Sequence, residues 1–344
     1  MRIFLFFIAL SLGLGATQGK PQRLSDREFL RIVDSVIQIK FEAYPNAFNP
    51  SLAEHEGKLF LSFRHLPQEK EDPWISHIYL VRLSENLTPI GAPQLLNTRQ
   101  EAPYSIMQSE DARLISSEGK LWIVYNDSYR EDPSGRRDIY LAEVRVDTPV
   151  YTLEKPLKLT HGRDYPTQHC QKNWVPFSYE GKLLFTYTIQ PHEIIAFDPE
   201  SGEAAPLSST VIPSLQWQFG MLRGGTPAIE VEGKYLSFFH SSLFGASRAT
   251  GGKAKWHYFL GAYTFSKEAP FQIDAITPKP LTHGDFYTYS QSPKRVIFPG
   301  GFVIKGDRIL LAYGKDDHEM WIAAIQKNKL LNAMIPVECV AHEN

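Results

Sequence analysis

One short phrase recurs five times along this chain. Each copy has an apolar segment, a turn that contains glycine and a second β-rich segment, as in residues 49–63 and 111–125. The turn glycines, spaced 52 to 73 residues apart, are Gly57, Gly119, Gly181, Gly233 and Gly306. Each copy therefore predicts a β-hairpin. Repetition at this period in an all-β chain indicates radial symmetry, so we predict a five-bladed β-propeller with about four strands per blade.

The alternative fold is a β-sandwich whose hairpins resemble one another by coincidence. The turns repeat the tripeptide Glu-Gly-Lys at near-constant spacing, and this regularity favours the propeller. The 344 residues would allow two or three domains, but the repeats reduce the expectation to one propeller domain over residues 41–344.

The start of the chain has a different pattern. Residues 1–19 combine a basic start, an apolar run over 3–15 and small residues, as in a secretory signal peptide. An uncleaved anchor is the alternative, but the run is shorter than the roughly 20 residues of a spanning helix. We expect a secreted or periplasmic protein in which Cys170 and Cys339 either pair or remain buried thiols. Over residues 20–40, a capping box at Ser25 and Glu28 and helical spacing from Phe29 to Ile37 predict a short helix.

Composition excludes several partners. Lys and Arg total 36 against 38 Asp and Glu, so no basic excess exists for nucleic acid. The eleven histidines and two cysteines show no metal-ligand spacing, and no metal is expected. No stretch after the signal peptide could span a membrane. The 12% aromatic content suits strands and a sugar-stacking site.

In a propeller, the innermost strands line a central channel, and the ends of the repeated hairpins meet at one mouth. The polar or otherwise distinctive residues at those positions are Asn49, Arg64, Glu110, Asp111, Asp127, Lys172, Trp174, Arg223, His240 and Asp317. Such a ring suits a polyol together with an anionic co-substrate. Because glycoside cleavage needs a carboxylic acid that protonates the leaving oxygen, Asp111 is the candidate catalytic residue.

Each candidate also has a structural interpretation. Glu110 or Asp111 could cap a turn, and Asp317 could lie in a solvated turn. His240 could be a satisfied buried histidine and Trp174 a core residue, while Arg223 could pair with a carboxylate. The repeat favours function because equivalent positions carry the polar groups together.

At these residues the sequence resembles glycoside hydrolase family 130, the five-bladed β-mannoside phosphorylases and β-1,2-mannosidases. It is also similar to the related mannosyltransferases of glycosyltransferase family 108. The resemblance covers roughly residues 48–325. Its motifs, in order, are Asn49-Pro50, Glu110-Asp-Ala-Arg113, 172–177, Gly225-Thr-Pro227, 258–263, Phe298-Pro-Gly300 and 313–317.

The resemblance implies an inverting mechanism. Asp111 would donate a proton to the glycosidic oxygen, in many members through the mannose 3-hydroxyl, while phosphate attacks from the opposite face. Asn49 and Asp317 would contact the mannosyl hydroxyls, and Arg64, Glu110, Asp127, Trp174 and His240 complete the expected substrate site. The expected phosphate-binding residues are Arg113, Arg130, Lys172 and Arg223.

The sequence departs from the family at two places. The family's Leu-His-Arg-Pro is replaced by residues 187–191, so its phosphate histidine is unmatched unless His192 or His240 substitutes. Ala112 replaces the usual proline beside the aspartate.

We predict a cofactor-independent β-mannoside phosphorylase or mannosyltransferase. Inorganic phosphate is the candidate co-substrate, and a mannose-containing oligosaccharide is the partner. A β-mannoside hydrolase and a non-catalytic glycan-binding propeller with a degraded phosphate site are the alternatives, and the oligomeric state stays open.

Overall fold

The structure is a computed structural model that describes residues 30–67, 75–99, 107–128, 137–162, 170–212, 217–246, 250–282 and 294–337. The predicted signal peptide, Arg130 and Cys339 lie outside these residues. Cys170 is exposed. Among the described residues, no helix is long and apolar enough to cross a membrane.

The described strands form four hydrogen-bonded sheets. The nine-stranded sheet is divided here where two of its strands pair in parallel, which gives five groups of strands, called meanders 1 to 5 in chain order. Meander 1 contains β2 (Ala47–His55), β3 (Lys58–His65), β4 (His77–Leu83) and β5 (Pro89–Leu95). Meander 2 contains β6 (Glu110–Ser117), β7 (Lys120–Asp127), β8 (Asp138–Arg145), β9 (Thr152–Leu153) and β10 (Leu157–His161). Meander 3 contains β11 (Val175–Tyr179), β12 (Lys182–Thr188), β13 (His192–Phe197) and β14 (Glu203–Thr210).

The last two meanders bring distant parts of the chain together. Meander 4 contains β15 (Arg223–Gly224), β16 (Ile229–Val231), β17 (Lys234–Ala246), β18 (Ala254–Ser266), β19 (Ile273–Ile276), β20 (Lys294–Arg295) and β24 (Ile335–Pro336). Meander 5 contains β21 (Ile297–Lys305), β22 (Arg308–Lys315), β23 (Glu319–Gln326) and β1 (Val33–Ile39). The described residues contain one short helix, α1 (Lys327–Ala333). The prediction of an all-β chain is confirmed.

The meanders follow one another around a closed ring. Strand β2 packs against β6 and β21, β6 against β11, β12 against β15, and β17 against β21. Each hydrophobic cluster of the described part lies between two neighbouring meanders, the last cluster joining meander 5 to meander 1. Meanders 2 and 3 are also hydrogen-bonded through the parallel pair β10–β14.

Glycine permits the inner strands to approach closely. A Cβ atom on Gly300 would lie 2.2 Å from the carbonyl oxygen of Pro50, and one on Gly224 would lie 2.3 Å from that of Asn173. Since both neighbours are backbone atoms, a side chain at either position would force meanders apart.

The predicted N-terminal helix is wrong where the structure describes it. Residues Val33–Ile39 form β1, which pairs antiparallel with β23 from Val33↔Ile325 to Ile39↔Met320. The capping box at Ser25 and Glu28 lies outside the described residues. Pairing satisfies the edge of β23, and β-branched residues pack well on a sheet, so tertiary contacts override the helical pattern.

Candidate active site

Three residues in left-handed backbone conformations stand at the starts of the inner strands. Asn49 has φ 48°, Asp111 has φ 54° and Asn173 has φ 63°. Strands β2 and β6 also carry irregular registers at these points. Positive φ is costly for residues other than glycine, and bulges re-aim side chains beside functional sites. The same left-handed backbone conformation therefore positions three polar side chains at equivalent places in meanders 1 to 3.

The carboxylate of Asp111 is held from two directions. Its Oδ1 accepts a hydrogen bond from Asn49 Nδ2 at 2.9 Å and lies 3.7 Å from Arg64 Nη1. A Cβ atom on Gly314 would lie 2.2 Å from Asn49 Oδ1, so glycine there makes room for the amide. The Asp111 side chain keeps 11% of its surface exposed, which leaves an oriented carboxylate within reach of a ligand.

Three cations converge on the neighbouring Glu110. Arg64 Nη2 and Arg137 Nη1 lie 2.8 and 2.9 Å from its Oε1, and Lys172 Nζ lies 2.8 Å from its Oε2. Burial raises the pKa of Glu110, but these three charges outweigh burial and lower it to about 2. Glu110 is therefore ionised throughout the physiological range.

Cations outnumber carboxylates at this point of the ring. Burial lowers the pKa of Lys172, but Glu110 and Asp111 outweigh it and raise that pKa above the usual value. A third of the Lys172 side chain is exposed, so its ammonium group can meet a ligand. The surplus of positive charge suits an anionic ligand.

Arg113 ties three meanders together. Its guanidinium donates to the carbonyl oxygens of Asp111, Gly224 and Gly225 and to Asn173 Oδ1, at 2.6 to 3.3 Å. Complete burial lowers its pKa to about 10. These donors are used within the protein, so the predicted phosphate contact of Arg113 stays a prediction.

His240 and Tyr258 stand at the edge of the site in meander 4. Their rings stack with centroids 5.9 Å apart, and Phe298 lies 5.1 Å from the imidazole. Burial, with the nearby charges of Arg223 and Arg113, holds the pKa of His240 well below its usual value. Burial raises the pKa of Tyr258, and the exposed carboxylate of Asp317 adds to that rise.

Two predicted substrate residues lie apart from the Asp111 cluster. Asp127 accepts hydrogen bonds from Arg99 at 2.7 Å and Ser109 at 2.6 Å, in a separate buried pair. Trp174 is 1% exposed and packs edge-on against Phe185, so its indole offers no face to a sugar. The structure does not bring either residue to the cluster, and their substrate contacts stay predictions.

The sequence prediction omitted Arg137. It stands just before β8, the third strand of its meander, and β8 begins at the end of the sheet where β7 finishes. The prediction considered only where first strands begin and where second strands end. Extending it to the starts of third strands would have found Arg137.

The ring of meanders presents one oriented carboxylate beside a cluster of three cations. Among the described residues, no His, Cys, Asp and Glu group is arranged to hold a metal ion. Enzymes that cleave glycosides use a carboxylic acid to protonate the leaving oxygen, and those that use phosphate as the nucleophile also need groups that bind an anion.

The chain belongs to glycoside hydrolase family 130. The family described as β-1,4-mannooligosaccharide phosphorylase matches residues 28–335. The family resemblance and the prediction of an enzyme of the glycosidase and glycoside phosphorylase class are confirmed. The protein is therefore a phosphorylase or hydrolase of mannosides.

Solved structures share the fold at low identity. A glycosyl hydrolase from Bacteroides ovatus is 15% identical over 94% of this chain and 100% of its own, with a TM-score of 0.63. β-1,2-Mannobiose phosphorylase from Listeria innocua is 17% identical over 88% of this chain and 94% of its own, with a TM-score of 0.59. A mannose phosphorylase from Leishmania mexicana, bound to phosphate, is 12% identical over 91% of this chain and 94% of its own, with a TM-score of 0.53. No curated protein matches the chain.

Proposed function

We propose that this protein is an inverting β-mannoside phosphorylase with Asp111 as the proton donor. The observation that carries the proposal is the Asp111 carboxylate, which Asn49 orients beside the cations gathered on Glu110. We interpret the ring of meanders as a five-bladed propeller in a single domain whose central channel opens at Asp111. The predicted domain, residues 41–344, is extended here to include β1 (Val33–Ile39), which belongs to meander 5.

In the proposed reaction, protonated Asp111 gives its proton to the glycosidic oxygen as the bond from that oxygen to the anomeric carbon breaks. An oxygen of inorganic phosphate attacks that carbon from the opposite face. The products are α-mannose 1-phosphate and the shortened acceptor, and Asp111 is left ionised. Phosphate is already a nucleophilic anion, so no general base is required.

The proposed phosphate site is built from Lys172, Arg64 and Arg137. Lys172 and Arg137 keep 33% and 15% of their side chains exposed, so both can meet an incoming anion. Charge-assisted hydrogen bonds from such groups are the strong ones for phosphate. Arg130, Arg113 and Arg223 remain predicted contributors.

Mannosyl hydroxyls would be contacted by Asn49 and Asp317, with His240 at the edge of the site. The depressed pKa of His240 keeps its imidazole neutral, so it can donate from one nitrogen and accept at the other. A neutral polar ring suits a sugar hydroxyl better than a phosphate.

The state of Glu110 favours phosphorolysis over hydrolysis. An inverting hydrolase needs a second carboxylate as general base to activate water. Glu110 is the carboxylate next to Asp111, but it is 1% exposed and its pKa is about 2. A carboxylate with so low a pKa is a poor base.

The proposal is tested with a screen of β-mannosides in the presence and absence of phosphate. We expect phosphate-dependent release of α-mannose 1-phosphate. Asp111→Asn should lower the rate about 10² to 10⁴-fold, the usual contribution of a positioned acid. Asp138→Asn is the control, because Asp138 is also a buried aspartate, but its carboxylate pairs with Lys158 Nζ at a distance of 2.7 Å and is not among the contacts of Asp111 or Glu110.

Three outcomes would contradict the proposal. Undiminished activity in Asp111→Asn would show that Asp111 is not the proton donor. Release of free mannose without phosphate would indicate a hydrolase. Binding of mannosides without any turnover would indicate a glycan-binding protein.

A further inference from the structure

The hairpin of β17 and β18 extends beyond the site. Both strands have 13 residues and pair without interruption from Lys234↔Ser266 to Ala246↔Ala254. His240 lies at the site, so the strands continue for about 20 Å past it, at about 3.3 Å per residue. The hairpin thus carries a surface that leads away from Asp111.

One face of this hairpin is continuous with the site. Residues two apart on a strand share a face, as do residues directly opposite across an antiparallel pair. His240, Ser242 and Phe244 therefore line the same face as Tyr258 and Trp256. Across the pair, His240 lies opposite the buried Leu260, Ser242 opposite Tyr258, and Phe244 opposite Trp256, so the face becomes aromatic toward the tip.

The aromatic end of this face is open. Phe244 is 55% exposed and Trp256 is 46% exposed. Their ring centroids are 5.7 Å apart, with an interplanar angle of 60°. Large exposed aromatic side chains that touch one another form the kind of apolar patch that marks a binding site.

The backbone of Trp256 is held between two strands. Strand β18 is hydrogen-bonded to β17 on one side and to β20 on the other, with Trp256 opposite Lys294. Sites built on paired strands are more precise than sites on loops. The backbone of Trp256 therefore needs no rearrangement before it meets a ligand.

We propose that Phe244 and Trp256 form a distal binding platform for the acceptor end of the mannooligosaccharide chain. The inference rests on the proposed function and adds a determinant of chain length to it. The occupant is a sugar chain because the platform continues from the site along Tyr258 and His240, and because sugar rings have apolar faces that aromatic rings cover. The acceptor part of a chain that is cleaved at Asp111 would extend away from the site over this face.

Chain-length dependence tests the platform. Rates are measured with a β-mannobiose and a β-mannotetraose of the linkage that the enzyme cleaves. Trp256→Ala should lower kcat/KM for the tetraose about tenfold, the scale of one aromatic contact, and leave the biose within about twofold. Trp256→Phe should retain most of the tetraose activity. Leu207→Ala is the control, because Leu207 is 51% exposed on β14 in another meander.

The outcomes separate this inference from the proposed function. If the wild-type protein turns over both sugars and Trp256→Ala affects both equally or neither, only the platform is refuted. A change of oligomeric state in Trp256→Ala, seen by size-exclusion chromatography, would make the pair an interface between copies and would also refute it.

Binding gives a readout that does not depend on turnover. Calorimetry with Asp111→Asn, with and without Trp256→Ala, measures tetraose affinity directly. A weaker affinity in the double variant supports the platform even where no turnover is found, and equal affinities overturn it.

Discussion

Replacing Glu110 with Gln removes the charge on which Arg64, Arg137 and Lys172 converge, and keeps the size of the side chain. Folding moves the pKa of Glu110 from 4.5 to about 2, which corresponds to about 3 kcal/mol at about 1.4 kcal/mol per pH unit. We therefore expect Glu110→Gln to lower the free energy of unfolding by about 3 kcal/mol near pH 7. This loss is the attraction between Glu110 and the three cations, net of the cost of burying its charge.

The loss should depend on pH in a defined direction. Because the pKa of Glu110 is lower in the folded state, its contribution is complete above the unfolded value of 4.5 and fades as pH falls toward about 2. The difference between wild type and Glu110→Gln should shrink from about 3 kcal/mol near pH 7 to about 2 kcal/mol near pH 3.5. Urea unfolding followed by tryptophan fluorescence at both pH values measures it.

Glu143→Gln provides the comparison. Glu143 is also buried, at 7% exposure, but its partners Lys120 and Arg145 are 48% and 46% exposed. Pairs with exposed partners contribute about 0 to 1 kcal/mol, so this variant should stay near wild-type stability. Equal stabilities of Glu110→Gln and Glu143→Gln, or a difference that grows as pH falls, would refute the electrostatic account of the cluster.

Two other features give direct tests. Gly300→Ala should lower the free energy of unfolding by about 2 kcal/mol, because its Cβ would lie 2.2 Å from the carbonyl oxygen of Pro50. The control Gly162→Ala, whose Cβ would have its nearest atom at 3.7 Å, should unfold near the wild-type temperature. Equal melting temperatures of the two variants would contradict this prediction. The His240 ring should stay neutral from pH 8 to pH 5, since burial holds its pKa well below the usual value. Proton NMR of its ring should show no titration there, and a midpoint near 6.5 would contradict the prediction.

Repetition is what made the meanders predictable from the sequence. Hairpin turns depend on local residue types, so all five predicted turn glycines lie at hairpin turns: Gly57, Gly119, Gly181, Gly233 and Gly306. The spacing of 62 residues between the first three of them also relates Asn49, Asp111 and Asn173, which share a left-handed conformation. Strand β1 was missed because its partner, β23, lies at the other end of the chain, where local periodicity carries no information.

The position of Asp127, which was predicted at the site but lies apart from it, follows from strand parity. Adjacent residues on a strand face opposite sides, so Asn126 meets Glu110 with Nδ2 at 3.2 Å from Oε2 while Asp127 pairs elsewhere. A spacing of one residue thus decides which of two polar neighbours joins the site. The irregular register between Glu110 and Arg113 places one extra residue in β6 relative to β7, which changes the face of the residues beyond it.

Bulges therefore limit what any repeat can predict. A repeat aligns equivalent positions along the chain, but a bulge reverses the faces of every residue beyond it. Glu110 faces three cations and Asp111 faces Asn49, although the two are consecutive. With the positive φ of Asp111, both carboxylates reach the same region, where Arg64 contacts both and Asn49 donates to Asp111. Glu110 is ionised and paired with its cations, and Asp111 is oriented and partly exposed, which is the division that the proposed acid beside a phosphate site requires.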